Sequence, residues 1–156
     1  MRQLLILLIL ASGSLTFAQD AKTVPFAGVE QVPVYPDCKG DNDKQKKCLS
    51  ESISKFINKN FDMELIGNLG LPAGQHRLAA QFEISAEGTI ENVLIRGDYL
   101  QVNQELERVI NSLPKMQPGY NNGEAVNVTY ALPVIFALAA DPDDKKKKKK
   151  RKKKNS

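Results

Sequence analysis

The hydrophobic period of this chain switches back and forth between that of a helix and that of a strand, and the order of the switches leaves few folds open. Leu49, Ile53, Phe56 and Ile57 stand at i, i+4, i+7 and i+8 with Ser50, Glu51, Ser54, Lys55 and Asn58 between them, which predicts an amphipathic helix over 49–60. Gly67, Gly70, Pro72 and Gly74 then break the pattern, so 62–74 reads as loop with a short helical turn around Leu65. From His76 the period becomes two: Leu78, Ala80, Phe82 and Ile84 share one face, and Arg77, Ala79, Gln81, Glu83 and Ser85 the other. Ala86-Glu87-Gly88 is a turn, and Thr89 to Arg96 returns as a second strand. Ile90 is out of step with Val93 and Ile95, which calls for a bulge near Asn92 or a strand end buried on both faces. Val102, Leu106, Val109, Ile110 and Leu113 make a second helix that Pro114 ends. After turn chemistry over Pro118 to Gly123, alternation from Val126 to Leu138 marks a long third strand.

Helix, strand, strand, helix, strand nearly sets the architecture. A hairpin makes the first two strands antiparallel, and a helical crossover makes the second and third point the same way. Placing the first strand between the others satisfies both. The expected fold is therefore α+β: two helices on one face of a three-stranded antiparallel sheet in the order 2-1-3. Its third strand is an edge, where Pro133, lacking an N–H, is tolerated. An exposed edge is either guarded or used.

The termini differ from this core. Met1-Arg2-Gln3, the apolar run Leu4 to Leu10 and the smaller residues up to Ala18 follow the order of a secretory signal, with cleavage expected after Ala18. The competing reading is a retained anchor, yet Leu4 to Ala18 as a helix reaches about 22 Å, short of a hydrocarbon core of roughly 30 Å. No Cys stands at the cleavage region after the apolar run to carry a lipid. Of the 22 Lys and Arg, ten form the unbroken run Lys145 to Lys154; the remaining 12 face 15 acidic residues over 1–140, a net of −3. The fold itself is thus mildly acidic, which argues against a nucleic-acid grip through its surface. The boundaries that follow are a signal over 1–18, a short leader over 19–31, a domain over 32–140 and a disordered basic tail over 141–156. The tail has two readings: a solvated extension, or attachment to an anionic surface such as lipid, lipopolysaccharide or nucleic acid, strongly dependent on salt. In an exported chain Cys38 and Cys48, around a polar loop, are expected to pair as a disulfide rather than stay free thiols. Two thiols and the distant His76 do not make a zinc set.

Tyr35-Pro36-Asp37-Cys38, Cys48, the run Ile110-Asn111-Ser112-Leu113-Pro114-Lys115-Met116-Gln117-Pro118-Gly119, Gly123, Val126-Asn127-Val128 and Leu132-Pro133-Val134-Ile135-Phe136 resemble the C-terminal domain of TonB-type energy transducers, in the cysteine-containing form of Bacteroidetes-like bacteria. The resemblance covers about 32–138 and implies the same strand order. It also implies a periplasmic module that binds the TonB box of outer-membrane receptors, in energy-dependent transport, by adding that extended segment to its last strand. On this sequence the role falls on Val126, Asn127, Val128, Thr129, Tyr130, Ala131 and Leu132, with Asn127, Thr129 and Ala131 outward. A full transducer has a spanning helix and a long Pro-rich spacer; here Gln19 to Val34 reaches at most about 55 Å. A free binding module, accessory or competitor is the expectation, with self-pairing through the edge as an alternative.

No enzyme reading gains support. His76 is alone, without a nucleophile pattern or a carboxylate pair beside it, and is expected to be a strand-end residue. Gly67, Gly70 and Gly74 do not follow a strand and open a helix, so they form no phosphate loop. Asn127-Val128-Thr129 matches a glycosylation acceptor but lies within a strand. No cofactor, metal or small-molecule substrate is expected.

Overall fold

The computed structural model describes residues 21–139, so the expected signal over 1–18 and the basic run lie outside the described residues. The elements are β1 (Thr23–Pro25), α1 (Asn42–Asn60), α2 (Met63–Gly67), β2 (Gly74–Ile84), β3 (Ile90–Arg96), α3 (Leu100–Asn111), β4 (Gly119–Asn121) and β5 (Glu124–Leu138). The three expected strands are β2, β3 and β5, and β2 does lie between the other two. The sheet nevertheless has five strands rather than three. It runs β1-β5-β2-β3, with β4 paired to β5. Nor is it antiparallel throughout, because β1 runs parallel to β5.

Both added strands come from segments with little apolar pattern of their own. β1 lies in what reads as a leader, and has one buried side chain, Val24. Val24, Val29 and Val32 join Val126 and Val128 in a small second core, which makes 22–34 part of the fold rather than a lead-in to it. β4 lies in the expected turn: Asn122 and Gly123 at φ 52° and 78° form the actual reversal, the Asn-Gly hairpin geometry, and β4 pairs back on Glu124 to Val126.

The helices begin earlier than their apolar residues. α1 starts at Asn42, seven residues before Leu49, because Asp41 caps it, its carboxylate accepting from Lys44 N–H at 3.0 Å. Its first turns are solvated, so no apolar face announces them. Leu49, Ile53 and Ile57 are buried there, and Val102, Leu106, Val109 and Ile110 on α3. Both sets meet Leu78, Ala80, Phe82 and Ile84 of β2 in the main core.

The bulge near Asn92 is present. Asn92 has φ 51°, and the pairing of β2 with β3 shifts between Gln81 and Glu83, which brings Ile90, Val93 and Ile95 onto the core side.

Cys38 and Cys48 form a disulfide that ties the segment before α1 to its second turn. Loop-closure entropy for so short a ring is worth about 3 kcal/mol. Replacing both residues by serine should lower the unfolding free energy in urea melts by about 3 kcal/mol, with the far-ultraviolet spectrum retained.

Among the described residues one charged side chain is buried. Glu105, 8% exposed, accepts from Arg108 at 2.6 and 2.8 Å and from the Asp62 N–H at 2.9 Å, while Arg108 also donates to the Asn60 carbonyl at 3.0 Å. This joins the end of α1 to α3. The Arg108 hydrogen bond, followed by the Asp62 N–H, holds the Glu105 carboxyl below the usual range against the opposing effect of burial. A carboxyl lowered in the folded state adds stability above its unfolded pKa of about 4.3 and loses it as pH falls through the lowered folded value. Glu105→Gln should therefore cost about 1–3 kcal/mol at pH 7, and its gap from the parent should narrow when urea melts are repeated toward pH 3.

Candidate functional site

β5 is the longest strand, and its two edges meet different surroundings. Towards β2 it is paired without interruption, from Val128 with Ile84 to Leu138 with Gly74. On the other side β1 covers Asn127 to Thr129, while β4 pairs with the start of β5, Glu124 to Val126. Asn127 N–H donates to the Lys22 carbonyl at 3.0 Å, and Phe26 N–H donates to the Thr129 carbonyl at 3.0 Å. Those bonds show which residues turn their main chain away from β2. Since the β2 register has no shift, the same orientation recurs at Ala131, Pro133, Ile135 and Ala137. There the edge has no strand beside it among the described residues. Three N–H donors, of Ala131, Ile135 and Ala137, and four carbonyls face outward.

The expected partner residues divide accordingly. Val126 and Val128 are buried in the small core. Asn127 does not face a partner: its Oδ1 accepts from Ala86 N–H at 2.9 Å and its outward main chain is taken by Lys22. Thr129 is likewise engaged, with Phe26. Tyr130 is buried, its ring between Phe26 at 4.8 Å and Phe82 at 5.4 Å. Of the stretch Val126 to Leu132, only Ala131 and Leu132 reach the free edge. The open edge lies further along, over Ala131 to Leu138. What shifts it is β1, and the available signal was Val24 and Phe26 alternating with Thr23 and Pro25, a short strand pattern interrupted by a proline.

Pro133 occupies an outward position, where its missing N–H costs β2 nothing. Ile135, 53% exposed, and the alanines beside it form the outer surface of this edge. Beneath α1 an open groove of about 250 Å3 runs around this edge, lined by Ser54, Ile57 and Asn58 and by Leu132, Pro133, Val134 and Ile135 of β5.

His76, the third residue of β2, stacks on Phe136 at 5.1 Å and meets the Pro72 carbonyl through Nε2 at 2.8 Å. Gly67, Gly70 and Gly74 lie around the link between α2 and β2. Among the described residues no group of three or more His, Cys, Asp or Glu is placed to hold a metal ion, and no helix is long and apolar enough to cross a membrane. No protein-family model matches the chain, and no match is found among curated proteins.

Proposed function

We propose that this chain is a periplasmic protein-binding module of TonB C-terminal type, which receives an extended receptor segment, the TonB box, by β-augmentation at Ala131 to Leu138. The observation that carries the reading is the free main-chain edge of β5 directly beyond a stretch of the same edge that already holds a strand, β1. Unpaired N–H and C=O groups in a row supply affinity to any chain that lies extended beside them, and alternate side chains supply selectivity.

Other features support the type and the compartment. Gly119, in the Pro-Gly pair of the resemblance, has a packing reason: a Cβ there would stand 2.7 Å from the Val128 side chain and 3.0 Å from the Gln31 carbonyl. The disulfide and the secretory order of residues 1–18 suit an oxidising compartment outside the cytoplasm. The role in transport is that of a coupling-domain relative acting at receptor boxes.

Titrating the labelled protein with peptides from the N-termini of outer-membrane receptors tests the reading. Amide shifts at Ala131, Ile135 and Ala137 are expected by millimolar peptide. Shifts confined to other surfaces, or none, would remove it.

A further inference from the structure

Leu132 and Val134 lie on the same face of β5 as Val128 and Tyr130, yet they are only half-buried, whereas Val128 is fully buried and Tyr130 5% exposed. The neighbouring strand makes the difference. β1 sets Val24 against Val126 and Val128, and two residues on Phe26 puts its ring edge-on to Tyr130. Side chains two apart on a strand share a face, so this single short strand covers that part of the core surface of β5 with one alternating pair. Past Phe26 the chain turns away, Gly28 N–H donating to the Pro25 carbonyl at 2.8 Å, and β5 continues uncovered. The groove between α1 and β5 opens there and runs on into a hollow of about 60 Å3 beside Phe61 and Met63. At about 250 Å3 it is below the roughly 300–1,000 Å3 of small-molecule pockets, and a sheet edge forms its open side.

We propose that this groove selects the partner by its side chains: the strand that pairs with Ala131 to Ala137 carries apolar residues at two alternate positions, and these seat between α1 and β5 as Val24 and Phe26 do beside Val128 and Tyr130. The inference rests on the β-augmentation reading and adds the sequence pattern that the segment must carry. The occupant is a separate polypeptide. A second copy fits less well, because two β5 edges paired antiparallel around a two-fold axis lack the N–H of both Pro133 residues, and a foreign strand meets only one. Among the chain's own remaining segments, Leu15-Thr16-Phe17 does alternate, but it belongs to the expected signal over 1–18. Leu4 to Leu10 is an unbroken apolar run, and the sequence from Asp141 to Lys154 holds only Asp, Pro, Lys and Arg.

The test uses two blocked peptides, Lys-Thr-Val-Thr-Phe-Thr-Lys and the same sequence with serine for both valine and phenylalanine, titrated into the full chain. The first is expected to shift the Ala131, Ile135 and Ala137 amides and the Ile57 and Val134 methyls, and to bind at least tenfold more tightly than the second. Asn58→Trp, at an exposed position of α1 that borders the groove, should erase that difference while the spectrum stays that of a folded protein; Ser54→Phe is the second variant, should tryptophan disturb the helix. Equal affinity of the two peptides, with edge amides shifting for both, overturns the groove assignment and leaves the pairing intact. Absence of edge shifts with either peptide or with receptor peptides overturns the pairing and this inference together. A concentration-dependent dimer in sedimentation that protects Leu132 and Val134 overturns the choice of occupant.

Discussion

Gly88→Ala is expected to destabilise the domain by about 4 kcal/mol, the largest effect of any conservative change at its glycines. Gly88 has φ 83°, and a Cβ added there would stand 1.8 Å from the Met116 carbonyl oxygen and 2.8 Å from its carbon. Neither side has room to yield. Met116 N–H donates to the Gly88 carbonyl at 2.9 Å, Gly88 N–H donates to Ser85 at 2.8 Å, and the Met116 side chain is buried at 4% exposure. A left-handed residue with a Cβ costs about 1–2 kcal/mol. Parting the two backbones leaves buried polar groups unpaired at about 1–3 kcal/mol more. Gly123→Ala is the control, since Gly123 shares the positive φ at 78° but a Cβ there meets nothing within 4 Å. It should cost only about 1 kcal/mol. Urea melts of the two variants separate the conformational cost from the clash, and equal losses would show that the β2–β3 turn and the segment before β4 yield around Met116.

What the sequence makes visible depends on whether a residue's burial repeats with a local period. Leu78 to Ile84 and Val102 to Ile110 repeat, so β2 and α3 are legible within two residues at most of their ends. Even the bulge at Asn92 is legible, because Ile90 breaks phase with Val93 and only an extra residue restores it. α1 before Leu49 is not, since Asp41 and solvated side chains define its start and leave no apolar mark. β1 is too short to show a period at all, and its pairing comes from a partner about a hundred residues away in sequence. The site inherits that gap. Pro133 points to an edge, but where that edge becomes free depends on β1, and so Val126 to Thr129 read as open when they are covered. Glu105 sits on the apolar face of α3, where only the Asp62 N–H and Arg108 explain it. The groove beside Leu132 follows from the relative placement of α1 and β5, which no local pattern encodes.

Ile135→Pro is expected to weaken binding of an edge-pairing peptide by roughly 10- to 100-fold while the domain stays folded. Ile135 turns its N–H away from β2, like Pro133 two residues earlier, so a proline there removes a donor that the fold does not use. The partner loses that bond and keeps an unpaired carbonyl, together worth about 1–3 kcal/mol, and tenfold in affinity is about 1.4 kcal/mol. Ala131→Pro should act alike, and the two together should abolish measurable pairing at millimolar peptide. Val134→Pro supplies the contrast. Val134 lies opposite Leu78 in the alternate orientation, with its N–H towards β2, and proline there breaks the ladder at a cost of about 3 kcal/mol or more in stability. Neighbouring prolines thus separate recognition from folding: at 131 and 135 the peptide titration should change and the urea melt should hardly move, whereas at 134 the melt itself should shift. If Ile135→Pro and Ala131→Pro left peptide affinity untouched, the partner would be held by side chains alone, and the edge of β5 would not be where it pairs.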